Sequence, residues 1–326
     1  MAHVTLVEAI NLALKHEMAR DPAVVVLGQD VGVDGGVFRG TLGLAERFGA
    51  ERVIDTPLAE ALIAGMAIGM AAEGLRPVAE IQFSGFAYTT IDQVLNHAGR
   101  LRHRTRGRLS CPMVLRTPCG AGIHAPEHHS ESPEAMFAHI PGIRVVYPSS
   151  PRRAYGLLLA AIRDPDPVVF LEPTRLYRLF KEEVADSGEA AALDVCYTLR
   201  EGSDVTLVSW GPMVAETLSA ADDLAEQGVA AEVIDVATLK PLDFDSILGS
   251  VSRTGRCVIV TEAPRTGSFA SEIAASLAEE GLLTLLAPVQ RVTGYDSVLP
   301  FSRLEHSYIP SRQQIVAAAK KALAFA

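Results

Sequence analysis

At 326 residues and 34.8 kDa the chain is too long for one ordinary domain and supports two hydrophobic cores. Hydrophobic residues make up 48% and charged residues 21%, a globular composition, and no apolar run reaches the ~18 to 20 residues that cross a bilayer, which excludes a helical membrane protein. A formal net charge of −10 argues against nucleic acid as a general partner.

The amino terminus, MAHVTLVEAI, has neither the basic-then-apolar layout of a secretory signal nor the Arg/Ser-rich character of a transit peptide, so a bacterial-type cytoplasmic protein is expected. Thr5 and Glu8 make a capping-box pattern that opens an apolar-periodic helix running to Arg20, and Asp21-Pro22 closes it before the strand VVVLG. Gly-rich DGGVFRGTLG, residues 34–43, matches neither G-x-G-x-x-G nor a P-loop and reads as a flexible loop. The alternation then continues: strand RVIDTP, helix AEALIAGMAIGMAAEG, strand RPVAEIQF, and one helix over 88–102. The run Arg100, Arg102, Arg104, Arg106 and Arg108 after it reads as a solvated face or a subunit contact. PMVLRTP, IRVVYPSS and PDPVVFLEP are strands, separated by helices over SPEAMFAHIPG, capped by Ser132-Pro133, and PRRAYGLLLAAIRD, with Pro151 suited to a first turn.

Residues 181–193, KEEVADSGEAAAL, are acidic, small and aperiodic, which is linker composition. A second unit follows, with strands DVTLVSWG, AAEVIDVATL and RCVIVTEAP and helices over MVAETLSAADDLAEQG, DFDSILGSVSRTG and SFASEIAASLAEEG. Strands separated by helices imply parallel pairing, so the fold class is α/β with two domains, residues 1–188 and 189–326. Cys111, Cys119, Cys196 and Cys257 are too scattered for a zinc or redox pair and read as reduced, mostly buried thiols.

Ligands in open α/β sheets gather beyond the carboxyl ends of strands, which directs attention to polar residues just after the strand runs. Glu60 heads a Gly/Ala/Met helix that suits only a buried or interface position; its carboxylate is either a first-turn charge meeting the helix dipole or a shielded acid with a role. GAGIHAPEHHSESPEA places His124, His128 and His129 on a loop; their spacing is not the i, i+4 face of a zinc helix, and proton transfer or anion handling fits better. Gln82, Phe83 and Phe86 follow a strand and read either as site lining or as core packing.

The strings IDTPLAE, AEIQF, IDQV, HHSESPEAMFAHIPGIRVV, VVFLEP with LYR, EGSDVTLVSWG, EAPRTGSFASEI and RVTGYD, spread over nearly the whole chain, resemble the β subunit of heterotetrameric 2-oxo acid dehydrogenase E1. The resemblance implies a thiamine-diphosphate-binding, transketolase-like pyrimidine domain followed by a transketolase carboxyl-terminal-like domain. It implies that Glu60 bonds N1′ of the cofactor's aminopyrimidine, that Leu58, Gln82 and Phe86 line that pocket, and that His129 steers acyl transfer to the lipoyl group. It also implies a structural K⁺ held mostly by backbone carbonyls at Met113, Ala161, Ile162, Asp164 and Asp166. The family's G-D-G to N-N pattern for Mg²⁺ and diphosphate is missing from this sequence, so Mg²⁺ is expected on an α subunit, in an α₂β₂ assembly. The activity implied is oxidative decarboxylation of a 2-oxo acid with reductive acylation of a lipoyl-bearing acyltransferase, E2, which docks on the carboxyl-terminal domain. AEIQF, SPEAMFAHIPGI, FLEP with LYR and EAPRTGSFASEI favour a branched-chain acid; pyruvate or acetoin is the alternative. A catalytically silent scaffold for the α subunit is a further one, and a self-sufficient transketolase-type enzyme is opposed by the missing pattern.

Overall fold

The computed structural model describes residues 2–325. The first half runs β1 (Ala2–Val4), α1 (Leu6–Arg20), β2 (Val24–Gly28), α2 (Leu44–Phe48), β3 (Val53–Asp55), α3 (Glu60–Ala72), β4 (Arg76–Glu80), α4 (Ser84–Ala87), α5 (Ile91–Asn96), α6 (Leu101–Arg104), β5 (Val114–Cys119), α7 (Glu134–Ala138), β6 (Arg144–Val146), α8 (Pro151–Arg163), β7 (Val168–Pro173) and β8 (Glu182–Val184). The second half runs β9 (Tyr197–Arg200), β10 (Val205–Ser209), α9 (Met213–Ala225), β11 (Ala231–Asp235), β12 (Thr238–Lys240), α10 (Phe244–Thr254), β13 (Cys257–Pro264), α11 (Phe269–Glu280), β14 (Gln290–Gly294), α12 (Ser302–Tyr308) and α13 (Arg312–Leu323). Among the described residues the strands form sheets of seven (β12-β6-β7-β5-β4-β2-β3), five (β14-β13-β10-β11-β9) and two (β1-β8).

Local chemistry explains the well-formed elements. The Thr5/Glu8 capping box closes the start of α1, and Ser150 with Pro151 starts α8. These two helices pack side by side over one face of the seven-stranded sheet, burying Leu6, Ile10, Leu14, Leu157, Leu158 and Ile162. Each such apolar side chain contributes about 1.5 to 3 kcal/mol. On the other face α3, α5 and α7 enclose a core that runs on through Trp210, Leu239, Ile247 and Ile273 into the second half. The four cysteines are unpaired, and all but Cys196 are buried.

Five sequence expectations need correction. The predicted helix over 88–102 is broken at His97 (φ −121°, ψ −65°), because the backbone at Gly99 packs against Pro141 and Gly142, too close for any side chain. The supposed flexible loop 34–43 is a packed turn: Thr41 is fully buried and donates to Val31 O, and Asn11 donates to the carbonyls of Gly40 and Leu42. The linker is tied down, since β8 pairs with β1 and Ala191 N donates to Gly156 O. AAEVIDVATL is two strands: β11 belongs to the five-stranded sheet, whereas β12 crosses over and pairs antiparallel with β6 in the seven-stranded one. Finally, Pro133 is the residue before α7, and no side chain caps that helix start. The arginine run is exposed along α6 and the turns on either side of it, where Arg102 pairs with Asp166 and Arg108 donates to Thr105 O. No helix among the described residues is long and apolar enough to cross a membrane.

Candidate active site

Strands β2, β3, β4, β5 and β7 are all parallel, so their carboxyl ends share one edge. The register sets Gly28 beside both Asp55 and Glu80, and Glu80 beside Arg116. Every loop that follows these residues therefore opens on the same side of the sheet.

Beyond β4, the Gln82 side chain donates to Asp30 Oδ2 (3.1 Å) and Gln29 O (3.4 Å), joining the loops after β4 and β2. Phe83 precedes α4, and Phe86 stands within it. The loop after β5 brings His129 onto this pair: its ring stacks on Phe83 with centroids 3.9 Å apart and meets Phe86 edge-on at 5.5 Å. Phe83 in turn meets Phe38 edge-on, and Phe38 meets Tyr177. The fit depends on Gly85, where an added Cβ would lie 2.1 Å from His128 O. Burial holds the His129 imidazole below its usual pKa, with His128 adding to the effect and Glu127 opposing it. A histidine so depressed is neutral at neutral pH and offers one donor and one acceptor. His128 and His124 lie on the exposed side of the same loop.

On the far side of β2, the Asp55 carboxylate accepts from Gly32 N (2.7 Å) and Val33 N (3.0 Å), fixing the turn before α3. Glu60 is the first residue of α3 and half-buried; no side chain caps this end of the helix. Around it Leu58 is 70% exposed, with Val33 and Leu62 also exposed, which makes an apolar shelf open to a large ligand or a partner. The structure thus gathers Gln82, Phe86 and His129 through Phe83, and sets Leu58 and Glu60 along the same edge, beyond β2.

Beneath the edge lies a network that the sequence reading missed. Arg116, 2% exposed, donates through Nε and Nη2 to Glu172 (2.6 and 2.8 Å) and through Nη1 to Glu80, and Tyr177 donates to Glu172. Burial pushes the Glu80 carboxyl up against the pull of Arg116. Burial alone would lower the Arg116 guanidinium, but Glu172 and Glu80 more than offset it and hold its proton firmly. The signal was present: AEIQF, PMVLRTP and VVFLEP each carry one charged residue inside an apolar strand, and strand order makes them neighbours.

Comparison with known proteins identifies the scaffold. A family model described as transketolase, pyrimidine binding domain, matches residues 2–179, and one described as transketolase, C-terminal domain, matches residues 195–315. A pyruvate dehydrogenase E1 component subunit beta of Bacillus subtilis is 46% identical over 325 residues, covering 100% of both chains. Its counterpart in Staphylococcus aureus is 44% identical over the same span. The chain belongs to the β-subunit family of thiamine-diphosphate-dependent 2-oxo acid dehydrogenase E1 components. The E1 β fold also matches a solved structure described as a split gene transketolase, inactive beta4 tetramer, with a TM-score of 0.82 at 26% identity over 99% of each chain.

Of the five K⁺ candidates in this E1 β chain, Ala161 and Ile162 lie in the last turn of α8 and Asp164 closes it, where the helix dipole favours positive charge, while Asp166 follows and Met113 meets the start of β7. Their oxygens already have protein partners: Met113 O accepts from Val168 N (2.9 Å) and Ala161 O from Asp164 N (3.3 Å). Arg76 Nη1 donates to Ile162 O (2.9 Å) and Asp164 O (3.3 Å), so a guanidinium supplies charge to two members of the set. The Asp164 side chain accepts from Arg144 and from Asp166 N, and Asp166 pairs with Arg102. Among the described residues no group of three or more His, Cys, Asp and Glu is placed to hold a metal ion.

Proposed function

We propose that this chain is the β subunit of a pyruvate dehydrogenase E1, which decarboxylates pyruvate and passes the acetyl group to the lipoyl group of an acyltransferase. What carries the reading is the His129 ring stacked on Phe83 and set edge-on to Phe86 at the strand ends, in a chain whose relatives bear the pyruvate dehydrogenase name over their full length. The strings that favoured a branched-chain acid weigh less than that full-length similarity.

The fit to thiamine diphosphate rests on the apolar shelf at Leu58 and on the single amide of Gln82 beside Phe86, surroundings that suit a flat, polar-edged pyrimidine. When bound, that cofactor supplies the carbon nucleophile that attacks the 2-oxo carbonyl. We assign Leu58, Gln82 and Phe86 to holding the pyrimidine, and Glu60 to holding a proton at N1′ from the first turn of α3. Acyl transfer opens the lipoyl disulfide: one sulfur takes the acetyl group and the other needs a proton. We assign delivery of that proton to His129, whose imidazole has one donor and one acceptor nitrogen and so can take up a proton and pass it on. Mg²⁺ and the diphosphate fall to an α subunit in an α₂β₂ assembly, and the second domain to docking the acyltransferase. A K⁺ ion at Met113, Ala161, Ile162, Asp164 and Asp166 is part of the same proposal, with Arg76 sharing the two carbonyls it touches.

One reconstituted α₂β₂ preparation tests the assignment. Pyruvate should give the highest kcat/KM against 2-oxoisovalerate and 2-oxo-4-methylpentanoate; preference for a branched acid would overturn the substrate. His129→Ala should keep decarboxylation with an artificial oxidant and lose ~10²- to 10⁴-fold in lipoyl acylation, whereas Glu60→Ala should lose both. Wild-type turnover in Glu60→Ala would instead support the silent scaffold.

A further inference from the structure

The loop between β5 and α7 carries His129, yet much of what holds its backbone comes from the second domain. Gly120 N donates to Glu131 O (3.0 Å) and closes the base of the loop. The next amides turn outward in sequence: Ala121 N donates to Glu262 Oε1 (2.9 Å), Gly122 N to Glu305 Oε1 (2.6 Å) and His124 N to Glu305 Oε2 (3.1 Å). The same Glu305 oxygen lies 2.9 Å from His124 Nδ1. Glu262 stands in β13 and Glu305 in α12, and both are essentially fully buried.

The backbone is shaped for these contacts. Gly120, Gly122 and His124 have φ of +89°, +97° and +59°, which turns successive N–H groups toward one side. A Cβ on Gly120 would stand 2.3 Å from Glu262 Oε1, and one on Gly122 would stand 2.4 Å from Arg175 Cδ. Arg175 approaches Glu262 at 3.5 Å and donates to Pro212 O, tying the clamp to the loop after β10. Buried carboxyl oxygens that accept backbone N–H bonds are directional anchors, because breaking the bond leaves a buried donor unpaired.

We infer that Glu262 and Glu305 are positioning residues for His129: through the amides of 121–124 the second domain fixes the loop that lays the imidazole against Phe83. The inference rests on the reading of His129 as the group that serves acyl transfer. Neither glutamate touches the reacting atoms. The arrangement makes acyl transfer, but not decarboxylation, depend on engagement of the second domain.

The test compares Glu305→Gln, Glu305→Ala and Glu262→Gln with wild type in the reconstituted α₂β₂ enzyme. Hydrogen exchange of peptides covering 120–131 should quicken about 10- to 100-fold in Glu305→Ala, the loss expected when two backbone amides lose their buried acceptor, while β5 and α3 keep their protection. Glu305→Gln keeps one acceptor oxygen and should fall between wild type and Ala. Lipoyl acylation should drop at least about tenfold, with decarboxylation by an artificial oxidant within about twofold of wild type. Unchanged exchange in 120–131 for both Glu305 variants overturns the clamp, and faster exchange with equal loss in both half-reactions overturns its link to His129. If His129→Ala itself shows no split between the half-reactions, the functional reading fails while the exchange result still judges the clamp. Should Glu305→Ala open throughout the chain, the two Gln variants carry the same comparison.

Discussion

Replacing Arg116 with methionine, similar in length but uncharged, should reveal how much the seven-stranded sheet depends on one buried cation. Arg116 is 2% exposed, Glu80 3% and Glu172 0%, so the variant leaves two carboxylates facing each other without water. Breaking a buried ion network by removing one member costs about 3 to 5 kcal/mol. For a domain of this size that corresponds to a fall in Tm of roughly 6 to 20 °C. The loss should also depend on pH. Burial already raises the Glu80 carboxyl against the pull of Arg116, and with the guanidinium gone that opposition is lost, so the native state binds more protons than the unfolded one and stability falls as pH rises through the native value. The deficit at pH 7 should therefore exceed that at pH 5, and adding Glu80→Gln should recover part of it. Urea and thermal unfolding followed by circular dichroism at both pH values read these quantities. A loss below about 1 kcal/mol, or one identical at pH 5 and 7, would refute the reasoning.

Asp235 and Glu262 lead to a prediction for the unmodified chain. Burial pushes Asp235 up to about 6, against the bonds from Ser149 and Ala237 N, and pushes Glu262 up to about 7, against Arg175 and Ala121 N. Because these acids hold their protons more tightly when folded, their contribution is complete below the unfolded carboxyl pKa and is lost as pH rises through 6 and 7, by roughly 3 kcal/mol each. Glu262→Gln should flatten that part of the stability–pH curve; an unchanged slope between pH 5 and 7.5 would count against a buried, raised carboxyl. For the end of α8, replacing K⁺ by Li⁺ at equal ionic strength should lower Tm by a few degrees if the proposed ion binds, on the scale of ~1 kcal/mol of linkage; an identical Tm would assign the turn to Arg76 alone.

Much of this was legible in the sequence because the signals are local. Thr5 and Glu8 cap α1, Pro151 starts α8, and the β-branched runs that became β2, β7, β10 and β13 are too apolar for anything but buried parallel strands. The site's edge followed from the rule that loops after parallel strands share one side, which collects Glu60, Gln82, Phe86 and His129. What stayed hidden depends on contacts distant in sequence. Nothing near Gly99 announces that Pro141 and Gly142 will press on it and break a helix, and nothing in EVIDVATL marks the point where the run changes sheets. The clamp on 121–124 joins residues 141 to 183 positions apart in the chain. Exposed Leu58 and Val33 have the opposite character, apolar side chains whose exposure the sequence pattern around Glu60 already suggested.

Strands β11 and β12 are separated by Val236 and Ala237 alone, yet they lie in different sheets. The tertiary division of this protein is therefore a seam rather than a joint. Cutting the gene near residue 190 would strip the outer strand from the amino-terminal product and bare β6 as an unpaired edge, an invitation to aggregate. Any swinging of one half against the other would first have to peel β12 from β6. Evolution can exchange the surfaces of such a molecule, but it cannot shuffle its halves as independent modules without inventing a new edge for each.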